Sequence, residues 1–110
     1  MTGNEYQALA SRTIPDEFNV QEKEFHALHG MISEIGELHG IYQKLYQGHK
    51  WDKVHAQKEL GDLLWFIAEY CTAFNWKLED IMQMNIDKLL ARYPEGFDAE
   101  HSLHRKKGDI

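Results

Sequence analysis

The chain is nearly free of cysteine: one residue, Cys71, in 110. A single thiol excludes an intrachain disulfide framework and a Cys-rich zinc site. Its place in the apolar run "WFIAEYCTAF" marks it as a small buried hydrophobe. Proline is also scarce, with two residues, and neither strand alternation nor hairpin dipeptides stand out, which argues against a β architecture. No apolar run is long enough to span a bilayer, and the opening residues do not resemble a signal peptide. A soluble cytoplasmic protein without a membrane partner is the expectation. Positive charge is in short supply too. Lysine and arginine number 12 against 18 acids, giving a net charge of −6. The basic residues cluster only at "HRKK", His104 to Lys107. No broad nucleic-acid face is expected, and the tail reads as a solvated end.

What is present is a helical pattern in one domain, with 43% hydrophobic residues. A chain of this length buries a modest core, so self-association is expected. "NEYQALASRT" reads as a short first helix, and "IPDEFN", with Pro15, as a break. A second helix is predicted from Gln21 to Tyr46. "QGHKWD", residues 47–52, is the turn, with Asp52 as N-cap of a third helix from Lys53 to Phe74. "NWKLED" restarts the chain into a fourth helix that ends near Tyr93, because Pro94 disfavours helix before it. Residues 94–110 form an extension with little periodicity. The third helix is apolar nearly all the way round, and such a helix is normally surrounded by others. The fold expected is therefore all-α, a compact helical bundle completed by dimerisation.

Two acidic pairs interrupt this pattern. "HGMISEIGELHG" carries Glu34 and Glu37, and "KELGDLLW" carries Glu59 and Asp62. Residues three apart share a helix face. The pairings of Glu34 with Asp62 and of Glu37 with Glu59 are both centred on Gly48, inside the predicted turn. If the turn is tight, an antiparallel hairpin brings all four carboxylates to matching heights. Facing carboxylates in apolar surroundings repel one another and lose hydration, which a hard divalent cation relieves. One such pair alone is commonly a solvated face. Two in register favour a metal site. No glutamate has a histidine three residues later, as di-iron bundles require, so an all-oxygen set suits Mg²⁺ or Mn²⁺. Gly36 and Gly61, next to the acids, are expected to let the two backbones approach closely. His26 with His29 and His101 with His104 have spacings that a metal could use, although solvated histidines are the simpler reading.

With these motifs the sequence resembles the MazG-like, all-α nucleoside triphosphate pyrophosphohydrolases. "SEIGEL" and "KELGDLLW" match the two halves of their acidic signature, with 21 residues between Glu37 and Glu59. The opening "NEYQALASRT" and the close "NIDKLLARYPEGFDAEHS" are similar too. The resemblance implies a single domain over residues 1–110, with about 94–110 as its extension. It implies Mg²⁺ on Glu34, Glu37, Glu59 and Asp62. It also implies phosphate and nucleotide contacts at Asn85, Lys88, Arg92 and Tyr93. The chain departs at Ser33, where the family has the first of two adjacent glutamates. The metal-facing positions are intact, so activity is expected to survive. What the departure removes is any supporting or proton-handling role of that acid.

The residues themselves support the second segment. Asn85, Lys88 and Arg92 follow one stripe of the fourth helix, and an acidic metal cup needs cationic partners to hold a polyphosphate. Trp65, three residues beyond Asp62, either borders the site and stacks on a base or belongs to the core. The resemblance implies hydrolysis of a nucleoside or deoxynucleoside triphosphate to monophosphate and pyrophosphate, as nucleotide house-cleaning. Mg²⁺, replaceable by Mn²⁺, would be the cofactor, and Glu34 or Glu37 would act on water. The assembly implied is a homodimer or homotetramer. The alternative is a non-catalytic helical interaction module that a metal stabilises.

Overall fold

The computed structural model describes residues 1–110 as five helices and no strand: α1 (Gly3–Ser11), α2 (Val20–Leu45), α3 (Lys53–Ala73), α4 (Leu78–Arg92) and α5 (Ala99–Leu103). The all-α expectation holds, and the first four helices fall within a few residues of their predicted bounds. The short α5 lies in the extension, where five residues held by an Asp98 cap are too few to show a period.

Local chemistry sets the ends. Thr2 with Glu5 and Asn19 with Glu22 form capping boxes at the starts of α1 and α2. In each, two orphan backbone donors are satisfied reciprocally. Asp52 caps α3 as predicted, accepting from the His55 N–H at 3.0 Å. After α3 the chain reverses at Asn75, in the left-handed region at φ 57°. The Trp76 N–H donates back to the Cys71 carbonyl at 2.8 Å, and the Asn75 N–H to Thr72. This pattern closes a helix C-terminus and favours glycine or asparagine at the turning position.

α2 and α3 form the predicted antiparallel hairpin, joined through Gly48 at φ +89°. α1 lies against α3 and also touches α4. The core is centred where these meet: Ala10, Ala68, Cys71 and Leu78, with Tyr6, Trp65 and Ile67 packed round them. Cys71 is buried, as its sequence context indicated. Gln7 ties the elements together. Its amide donates to Thr72 and to the Trp76 carbonyl, and accepts from the Leu78 N–H at 2.7 Å. That last bond serves the start of α4, whose N-cap, Lys77, makes no side-chain cap.

Two expectations need correction. Gly36 and Gly61 do not mediate close approach: a Cβ built on either meets no atom within 4 Å. The glycine with that function is Gly30, where a Cβ would lie 2.2 Å from the Phe66 ring. The acids drew attention to the wrong glycines, because a helical hairpin needs its small residue where a large ring crosses. The uncovered apolar surface is also not confined to α3. From Trp65 onward α3 sinks beneath its neighbours, while Leu60 and Leu64 stay exposed. More lies on α2, where Phe25, Leu28, Ile32, Ile35 and Tyr42 form an outward stripe that continues to Tyr46 just after the helix. α4 exposes Met82, Met84, Ile86 and Leu90.

Candidate active site

The register of the hairpin decides where the acids meet. With the turn at Gly48, Glu34 faces Asp62 and Glu59, while Glu37 faces Glu59. The outcome is two overlapping triads. Ligand atoms of Glu34, Glu59 and Asp62 lie within 4.8 Å of one another, and so do those of Glu37, His55 and Glu59. Glu59 belongs to both. Two carboxylates at this separation repel by roughly 3–4 kcal/mol at the effective dielectric of a protein surface.

The crowding of these carboxyls bears on their acid–base chemistry. The Glu34 carboxyl is pushed from 4.5 up to about 7. The first cause is Glu59, close enough to share its proton; burial and the charges of Glu59, Asp62 and Glu37 add to it. Glu34 Oε2 is buried and has no hydrogen-bond partner. A buried, unpartnered oxygen on a carboxyl that belongs to a group of acids fits a divalent cation, since it is costly otherwise. The cup can therefore hold a metal ion. Tyr6 borders it from α1, its phenol pushed upward by burial and by the Asp62 charge.

His55 was missed in the sequence. Its Nε2 lies 3.0 Å from Glu59 Oε1, one helical turn away. The signal was the four-residue spacing from His55 to Glu59, which shares a helix face as surely as a three-residue one. A nitrogen at the rim makes the second triad a mixed donor set.

A second feature absent from the sequence reading lies about two turns along the hairpin. Glu69 is 1% exposed, and both its oxygens lie within 2.9 Å of His26 Nδ1. Burial holds its carboxyl above the usual range, although His26 and Lys23 pull it down. His26 is thus engaged by a carboxylate and framed edge-on by Phe18, Trp65 and Phe66, not merely solvated. His29 instead stacks on Phe25.

Trp65 is committed to packing. Its indole N–H reaches Thr13 Oγ1 at 2.8 Å and the Ala10 carbonyl at 3.2 Å, pinning the end of α1 to α3. That is the core alternative its sequence context allowed. Asn85, Lys88, Arg92 and Tyr93 lie on or just after α4. Lys88 and Arg92 line a cavity of about 210 Å³ that none of the four acids borders. Within one chain, then, the acids form two triads that share Glu59, and the basic stripe is not brought to them.

Comparison with known families gives one match. The model of the MazG nucleotide pyrophosphohydrolase domain covers residues 23–97, which include both acidic pairs and the stripe of α4. No curated protein and no solved structure matches the chain.

Proposed function

Because the chain belongs to the MazG nucleotide pyrophosphohydrolase domain family, we propose that it hydrolyses nucleoside or deoxynucleoside triphosphates to monophosphate and pyrophosphate. The observation that carries this reading is the carboxylate cup with its orphaned Glu34 oxygen. Glu34, Glu37, Glu59 and Asp62 would hold Mg²⁺, with Mn²⁺ as a substitute. A bound divalent ion neutralises phosphate charge and lowers the pKa of water. Glu34 or Glu37 takes the proton of the attacking water. The raised Glu34 carboxyl belongs to the metal-free cup, and a bound cation would favour its ionised form. Lys88 and Arg92 grip the departing phosphates, with Asn85 and Tyr93 beside them. A non-catalytic module has less support, since the four acids at the metal-facing positions are retained even though Ser33 replaces a family glutamate.

Self-association belongs to the same proposal. The radius of gyration is 17.4 Å, where about 13 Å is usual for a compact chain of this length. A second copy on the stripes of α2 and α4, as homodimer or homotetramer, would cover the apolar surface. The same assembly is the route by which the basic stripe of one protomer reaches an acidic cup. No helix is long and apolar enough to cross a membrane. We place the activity in the cytoplasm, where a free thiol such as Cys71 persists.

The test is titration with Mg²⁺ across the common nucleotides. The ion should raise the melting temperature, because a ligand of the native state stabilises it by mass action. Turnover should appear with the ion and vanish in chelator. Full turnover in chelator, with no metal-dependent melting shift, would overturn the reading.

A further inference from the structure

The family match ends at residue 97, and the chain that follows folds back onto the end of α4. Arg92 is the last residue of that helix. Its Nε and one terminal nitrogen donate to the two Asp109 oxygens at 2.8 and 2.7 Å. The side chains are only 9% and 16% exposed, against 72% and 75% for the nearby His104–Glu100 pair. Arg92 also lies over the Tyr93 ring, 5.7 Å from its centroid. Lys88, Arg105 and Lys106 join Arg92 around the cavity, with His101 and His104 at its wall. Asp109 supplies the carboxylate among these cations. In a chain of net charge −6, this is a concentrated positive site.

Cavities for whole small molecules usually run about 300–1,000 Å³. This one, at about 210 Å³, suits a charged group instead. A planar guanidinium fork binds carboxylate and phosphate in the same two-pronged way. Asp109 uses two of the five Arg92 donors, so the fork keeps capacity for a larger oxyanion.

We propose that residues 98–109 turn the end of α4 into a binding site for a phosphate-bearing anion, in which the Asp109 carboxylate is a built-in competitor that the ligand displaces from Arg92. Displacement leaves Asp109 beside Arg105 or free in water, and it lets phosphate oxygens meet Lys88, Arg92, Arg105 and Lys106 together. The anion is either free pyrophosphate or the phosphates of a nucleotide. The nucleotide case rests on the reading of Lys88 and Arg92 given above; the free-anion case does not.

The experiment is calorimetric titration of the full chain in chelator, where the carboxylate cup has no ion with which to hold phosphate. Pyrophosphate and a non-hydrolysable α,β-methylene nucleoside triphosphate are the two probes. Asp109→Asn keeps shape and removes the competing charge. It should tighten pyrophosphate binding at least five-fold, while Arg105→Ala should weaken it at least five-fold. Circular dichroism melts check that each variant is folded. If the nucleotide analogue tightens in parallel and competes with pyrophosphate, the substrate is the source of the phosphates. If pyrophosphate alone responds, the site serves a free anion. Unchanged or weaker pyrophosphate binding by a folded Asp109→Asn would overturn the proposal and make Asp109 a structural brace. That result would not bear on whether turnover needs the metal, which chelator tests by itself, so the two readings fail separately.

Discussion

Removing the charge of Glu34 should stabilise the metal-free protein, and only at the higher end of the pH range. The carboxyl titrates near 7 in the folded chain against 4.5 in the unfolded one. The folded state therefore binds this proton more tightly. The resulting stability is fully present below about pH 4.5 and is lost as pH rises through 7. The full shift corresponds to roughly 3 kcal/mol. Glu34 is only partly buried, and solvent screening reduces the effect to about 1–2 kcal/mol. Glu34→Gln keeps the shape and abolishes the titration. At pH 8 in chelator the variant should melt about 4–8 °C above wild type, at roughly 4 °C per kcal/mol for a chain of this size. At pH 5 the two should melt together. Saturating Mg²⁺ should reverse the order at pH 8, because wild type then gains binding energy that the variant lacks. Thermal melts followed by circular dichroism at the two pH values decide it. An equal difference at both, or a wild type that is the more stable at pH 8 without metal, would refute the reasoning.

Other consequences follow from the same geometry. Glu37→Gln and Asp62→Asn should abolish turnover while leaving helicity intact; activity within a few-fold of wild type would remove them from the ligand set. Gly30→Ala should cost about 1–3 kcal/mol in urea unfolding, because its methyl would drive into the Phe66 ring at 2.2 Å. Gly36→Ala, which points a methyl into open space, should instead gain up to about 1 kcal/mol from helix propensity. Gln7→Ala should destabilise by about 1–2 kcal/mol, since the Leu78 N–H at the start of α4 loses its acceptor. Hydrogen exchange at Leu78 should quicken with it.

The long periodic segments were legible because 20 or more residues of helical pattern leave little freedom in type or register. The cup followed in part from the hairpin: once the turn is placed at Gly48, the spacing brings Glu34, Glu59 and Asp62 together, while Glu37 meets Glu59 in a second triad with His55. His55 was equally readable, had a four-residue interval been weighed beside the three-residue one. The Gln7 bonds were not, because an amide bridging residues 7, 72, 76 and 78 joins positions that no local pattern relates. The buried Glu69–His26 pair was hidden for the same reason: an acid in an apolar helix has no visible partner until the partner helix is placed. The function of Gly30 depended on which ring crosses it, a tertiary fact. The Arg92–Asp109 clamp lay beyond reach because the tail has no period to reveal where it folds back.

In the proposed reaction the carboxylate cup directs water to the α phosphorus of a nucleoside triphosphate. Turnover in ¹⁸O-water with Mg²⁺, with both products analysed by mass spectrometry, tests it most directly. Attack at the α phosphorus puts the label in the monophosphate and leaves the pyrophosphate unlabelled. Label confined to pyrophosphate, or release of single phosphates, would contradict it.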